Sequence, residues 1–155
     1  MVINSFLEVS VAQKRDREKM GSTLPKQLVE QFYYDVWNKA DESAAHKILT
    51  EDFIFRGSLG EEKVGIDGFV DYMRSIHKAL GDYKCIIEDL IITENRVAAQ
   101  MVFTGIHQNS FLGYKPTQKL VQWNGAAFFT IQNQEISELW VLGDIDAIKT
   151  QLNND

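Results

Sequence analysis

Three side chains of this 155-residue chain could do chemistry at a pocket wall: His107, Arg56 and Asp144. An unperturbed histidine titrates near neutral pH, so His107 can serve as acid or base, and it closes an alternating run beside the loop Gln108 to Lys119. The same ring would serve structure if it hydrogen-bonds that loop. The planar guanidinium of Arg56 suits a carboxylate or enolate, as an anionic intermediate requires. Its other reading is an ion pair, with Asp144 or Asp52 as partner. Asp144 directly precedes a helical pattern, where a carboxylate satisfies free amides as an N-cap. Tyr72 and Tyr83 could each donate to a ligand carbonyl or bond to backbone.

Other chemistries find no support. Glu88 and Asp89 are neighbours on a strand-like run, so they point to opposite faces and cannot form a carboxylate pair. His46, His77 and His107 lack metal-ligand spacing, and neither a glycine-rich phosphate loop nor a Gly-x-Ser-x-Gly elbow occurs. No metal and no cofactor are therefore expected. A formal charge of -6 repels phosphate backbones, and the one basic cluster, Lys14 to Lys19, is mixed with acids. Nucleic-acid binding is not expected. No apolar run approaches the roughly 20 residues of a membrane-spanning helix. Cys85 is the only cysteine, which rules out an intrachain disulfide and suits a reducing, cytoplasmic setting. Residues 2–11 are apolar but broken by Asn4, Ser5 and Glu8 without basic residues before them, unlike a signal peptide.

The elements that must position these groups can be read from periodicity. Residues 1–22 read as an N-terminal arm, and residues 23–155 as one domain, since two would each lack buried surface. Leu24, Leu28, Phe32 and Val36 recur every four residues after Ser22-Thr23-Leu24-Pro25, a helix start with proline in the first turn. A short helix follows from Asp41 to Leu49, then a strand around Asp52 to Arg56 ending in Gly57-Ser58-Leu59-Gly60. Asp67-Gly68 opens a third helix carrying Phe69, Met73, Ile76 and Leu80, with Gly81-Asp82 closing it. The period then changes to two, predicting strands at Tyr83 to Thr93, Arg96 to His107, Leu120 to Ile131 and Glu135 to Leu142, and a last helical turn through Ile145, Ile148 and Leu152. Helices first and antiparallel strands after predict an α+β fold: a curved antiparallel sheet packed against N-terminal helices, forming a cone with one internal pocket.

Several segments carry a family resemblance. They are Phe32-Tyr33 with Val36-Trp37-Asn38, Asp52 through Gly60, Gly65 with Gly68-Phe69, Ala79 through Tyr83, Phe103 through His107, Pro116-Thr117, Trp123 through Phe129, and Trp140 through Asp144. Together the chain from about Leu24 to Leu152 resembles the SnoaL-like polyketide cyclases, of the α+β cone superfamily that includes ketosteroid isomerases, scytalone dehydratases and limonene epoxide hydrolases. The resemblance implies an acid-base aspartate on the last strand, three residues before a second aspartate. The second matches Asp144, so Val141 stands where the catalytic one would be, and valine cannot move a proton. A glutamine and a histidine of the family's fourth strand correspond to Gly125 and Ala127, and an asparagine of its first strand to Phe55.

Strand alternation puts Trp123, Gly125, Ala127 and Phe129 on one face, with Leu139, Val141 and Gly143. The predicted ligand-binding residues are Phe55, Trp123, Ala127 and Val141, around a markedly apolar cavity. Two functions fit. One is a cofactor-independent enzyme that cyclises, isomerises or dehydrates a small hydrophobic carbonyl compound with His107, Arg56 and Asp144. The other is a non-catalytic binding or carrier domain. His107 and Arg56 pointing into the cavity would favour the first, and both tied up outside it the second. The opposite sheet face would carry Val102, Thr104, Ile106, Ala126, Phe128, Thr130, Trp140 and Leu142, too apolar to face water. A homodimer through that face is expected, with the arm folding over it as the competing cover.

Overall fold

The computed structural model describes residues 24–153; the expected arm lies outside them. Helix α1 occupies residues 24–37, with Pro25 in its first turn, where a missing amide costs nothing. From Gln31 to Trp37 it widens into π geometry. The Asn38 amide bonds the Tyr33 carbonyl at 2.9 Å, five residues back. That wider turn brings the adjacent pairs Phe32 with Tyr33 and Val36 with Trp37 onto the buried side. The four-residue repeat legible in the sequence is therefore only half of the inner face.

Helix α2, Glu42–Ile48, starts where the sequence places it, Asp41 Oδ1 accepting the Ala44 amide at 3.0 Å. It leads into β1, Leu49–Arg56, and β2, Glu62–Val64. Helix α3, Ile66–Ala79, buries Phe69, Tyr72, Met73 and Ile76. Gly81 and Asp82 do not close it, contrary to expectation. Leu80 is already strand, paired with His107, and Gly81 pairs with Ile106, so ladder bonds replace the expected cap. Four long strands follow: β3, Leu80–Ile92; β4, Arg96–His107; β5, Leu120–Gln132; β6, Glu135–Gly143. Helix α4, Ile145–Asn153, ends the described chain.

The fold is α+β, as the sequence predicts. The six strands form one sheet in the order β2-β1-β6-β5-β4-β3. The four long strands pair antiparallel in sequence, while β1 joins β6 in parallel and makes the sheet mixed. Register shifts within β3, and between β5 and β6, add local twist that curls it. The shift between Ile87 and Asp89 also breaks alternation, which leaves Glu88 and Asp89 both exposed. The core fills the space between the concave face and the helices: Phe32, Phe53, Phe69 and Phe129 pack edge-on or tilted with centroids 5.4–6.4 Å apart. Asn38 fastens α1 to β3, its amide nitrogen donating to the Cys85 carbonyl at 3.0 Å and its oxygen accepting the Cys85 amide at 2.7 Å.

Candidate functional site

Within the cone, the described residues enclose a small, partly open cavity of about 20 Å³, room for about one water as it stands. Helices α1 and α3 supply Tyr33, Trp37, Tyr72 and Ile76; the strands supply Phe55, Tyr83, Phe103, Trp123, Leu139 and Val141; Ser58 comes from the β1–β2 turn. The alternation of each strand fixes which residues face in, and a one-residue slip would reverse them all. Phe55, Trp123 and Val141 are among the residues that line the cavity. Ala127 is buried on the same face, opposite Val141, but lies behind the lining.

The walls are aromatic and uncharged. Trp123 stacks on Tyr83 at 6.1 Å, and Trp37 meets Tyr83 edge-on at 5.5 Å and Tyr72 at 6.2 Å. The lining's side-chain polar groups are phenols, two indole N–H groups and the Ser58 hydroxyl. Tyr33 Oη and Trp123 Nε1 are buried and find no hydrogen-bond partner among the described residues. Burial pushes the Tyr33 and Tyr83 phenols well above their usual range, with the Cys85 thiol adding to it. These phenols are neutral donors, not bases. The Cys85 thiol, also pushed up by burial, shares a hydrogen bond with Tyr83.

Of the polar residues singled out from sequence, Tyr72 and Tyr83 line the cavity, whereas His107, Arg56 and Asp144 lie outside the lining. His107 is 0% exposed at the inner end of β4. Its Nδ1 lies 2.9 Å from Thr117 Oγ1 and receives the Thr117 amide at 3.2 Å, which ties it to the loop. Nδ1 is therefore an acceptor, the proton sits on Nε2, and Nε2 has no partner among the described residues. Arg56 lies on the outer face, its guanidinium donating to the Val141 carbonyl and resting 4.9 Å over the Trp140 ring. It pairs with neither Asp52 nor Asp144 among the described ion pairs. Asp144 is exposed and caps α4, accepting the Ala147 amide at 3.0 Å. The fold does not bring these three together.

Sequence reasoning missed Tyr33 and Phe103. The signal for Tyr33 was the doubled pair Phe32-Tyr33 and Val36-Trp37 spaced by four, too broad an apolar face for a simple one-residue stripe. Among the described residues no group of three or more His, Cys, Asp or Glu side chains is placed to hold a metal ion, and no helix is long and apolar enough to cross a membrane.

This cone and cavity define the class. Residues 27–152 match the SnoaL-like polyketide cyclases, and the chain belongs to that family. Among solved structures, a SnoaL-like protein of Jannaschia sp. superposes with a TM-score of 0.79 at 17% identity, covering 86% of this chain and 94% of its own. TsrD from Streptomyces laurentii gives 0.75 at 21% identity over 84% of this chain and 96% of that one. A SnoaL-like polyketide cyclase of Agrobacterium tumefaciens gives 0.68 at 21% identity over 78% and 92%. At such identities these likenesses concern the fold. No curated protein matches the sequence.

Proposed function

We propose that this chain binds a small, flat, uncharged and mainly apolar molecule bearing an acceptor oxygen, as a binding or carrier member of its family. The observation that carries this reading is the pair of buried, unpartnered donors, Tyr33 Oη and Trp123 Nε1, on an otherwise aromatic cavity. A buried donor without an acceptor costs about 1–3 kcal/mol, which a carbonyl or ether oxygen of a ligand would restore. The lining holds no carboxylate or imidazole to take a proton, and Val141 fills the position at which the family resemblance places one. The test is a titration with acetophenone, 1-indanone and 2-naphthol followed by tryptophan fluorescence, since Trp37 and Trp123 both line the site. A saturable change that weakens at least tenfold in Val141→Phe supports the reading; no saturable response to any of the three rejects it.

A catalytic reading, cofactor-independent cyclisation or isomerisation of a small hydrophobic carbonyl compound, is favoured by one observation. His107 keeps an unpartnered Nε2 on the same inner face. A cytoplasmic homodimer remains part of the proposal. It is supported by the outer sheet face, where Phe128, Trp140 and Leu142 are 41%, 40% and 51% exposed.

A further inference from the structure

Each residue lining the cavity belongs to a helix or a strand except Ser58. Its turn, Gly57 to Gly60, closes on itself. The Gly57 amide donates to the Glu61 carbonyl at 2.9 Å, the Gly60 amide donates to the Gly57 carbonyl at 3.0 Å, and Gly60 takes a φ of 92°. Beyond it lies β2, three residues at the sheet edge that pair with β1 alone. The base of the turn is fixed, because Arg56 donates to the Val141 carbonyl on β6. Among the described residues, one main-chain bond ties the turn itself to β6, from the Gly143 amide to the Ser58 carbonyl at 3.0 Å. Leu59 adds side-chain packing against the core.

The turn sits directly on two polar atoms of the cavity wall. A Cβ on Gly143 would lie 2.7 Å from the Ser58 carbonyl oxygen, 2.9 Å from Ser58 Cβ and 3.2 Å from Trp123 Nε1, and a Cβ on Gly57 would lie 2.6 Å from Tyr72 Oη. Only glycine lets the turn come down this far. Ser58 is partly exposed, whereas Trp123 beneath it is 3% exposed and its N–H has no acceptor among the described residues. Seating the turn therefore strips water from a donor without replacing it, which works against the closed position. The closed cavity has room for about one water, so a larger molecule needs a wall to give way. Ser58 is the wall that no helix or strand ladder holds.

We infer that the Gly57–Gly60 turn is the lid of the cavity: lifting it from Gly143 enlarges the space and uncovers Trp123 Nε1–H, which the acceptor oxygen of the entering molecule then takes. The lid stands on the packing of the turn alone. Its use for entry rests on the cavity being the ligand site. On this account the molecule binds the lifted form, and its apparent affinity is reduced by the fraction of chains in which the turn is seated.

Solvent exchange at the Trp123 indole N–H reads the lid directly, since no hydrogen bond to the described residues protects it. NMR of the ¹⁵N-labelled full chain gives the rate. Trp123→Phe identifies the resonance, and the Met101 amide, in mid-sheet between β3 and β5, marks global opening. In Gly143→Ala, whose methyl group cannot share space with the seated turn, the ratio of the Trp123 rate to the Met101 rate should rise roughly tenfold. If Gly143→Ala fails to fold, Leu59→Ala, which removes the turn's own grip on the core, should raise the same ratio. An unchanged ratio in the folded variant overturns the lid. By tryptophan fluorescence, acetophenone should bind that variant several-fold more tightly than the parent chain, because the lifted form is already populated. Equal or weaker binding rejects entry beneath the turn and leaves the cavity reading standing. No saturable response in either protein rejects the cavity reading, and the exchange rates then decide the lid by themselves.

Discussion

The ring of Phe103 occupies the space that a side chain at position 125 would need: a Cβ on Gly125 would lie 2.5 Å from Phe103 Cε2 and 3.0 Å from the Leu142 carbonyl oxygen. The two residues sit on the same sheet face two residues out of register, Phe103 opposite Trp123 and Met101 opposite Gly125. Gly125→Ala should therefore destabilise by about 1–3 kcal/mol, the usual cost of overpacking. In the double variant with Phe103→Leu, the loss should be smaller than the sum of the two single losses, because the clash is shared. Urea unfolding of the four proteins checks this, and simple additivity would contradict it.

Tyr33→Phe deletes the buried hydroxyl that has no partner. The free protein should gain about 1 kcal/mol, a rise in Tm of about 2–4 °C for a chain of this size. The same change should weaken acetophenone binding several-fold. Stability gained and binding lost together would mark a functional group; a loss of stability instead would mean that Tyr33 Oη has a partner in solution.

Val141→Asp puts a carboxylate beside Phe55, Trp123 and Leu139, which line the same cavity. The charged form loses hydration there, so its folded-state pKa rises above the unfolded value. Sign follows from that rise: the penalty is full above the folded pKa and fades as pH falls toward the unfolded value. Melting should show a loss of about 2–4 kcal/mol at neutral pH that shrinks in mild acid. An unchanged melt at neutral pH would mean a wet cavity.

Burial holds the His77 imidazole below its ordinary value, against the opposing pull of its Nε2 bond to the Trp37 carbonyl at 2.8 Å, while Lys84 lowers it further. The unfolded chain therefore binds the proton more readily than the folded one. Stability should fall as pH drops below about 6.5, with the full loss reached under the folded pKa. His77→Gln should flatten that stretch of the curve in urea titrations run at successive pH values. An identical slope would assign the acid sensitivity elsewhere.

Much of this architecture is legible in the chain because its signals are periodic. Alternation across β4, β5 and β6 fixed which residues face in, and Asp41 and Asp144 cap their helices where a carboxylate before a helical stripe should. The failures share a physical cause. The fate of Leu80 and Gly81 depends on strand partners more than twenty residues away, and the π geometry of α1 shows only as a doubled apolar pair. Arg56 reads as a pocket cation until the pairing of β1 with β6 sets it opposite Trp140, on the outer face. Side-chain chemistry is local in sequence, but the direction a side chain points depends on register.

Dimerisation through the outer face should be sensitive to charge at its centre, where Phe128 and Trp140 lie 5.8 Å apart and pair across β5 and β6. Light scattering should give a dimer for the parent chain and for a version starting at Met20, and a monomer for Phe128→Lys. A parent monomer that dimerises once residues 1–19 are removed would assign the cover to the arm instead.

The place of β6, between β1 and β5, orders how the molecule can be made. On a ribosome the first ninety residues would emerge with β1 and β2 paired only to each other, their apolar inner side waiting for a strand not yet translated. The meander β3 to β5 can zip locally, whereas the two halves of the sheet are joined only when Glu135–Gly143 arrives. Nascent chains arrested before that strand would hold Phe53 and Phe55 without their final cover, a stretch of synthesis during which holdase chaperones have something to grip.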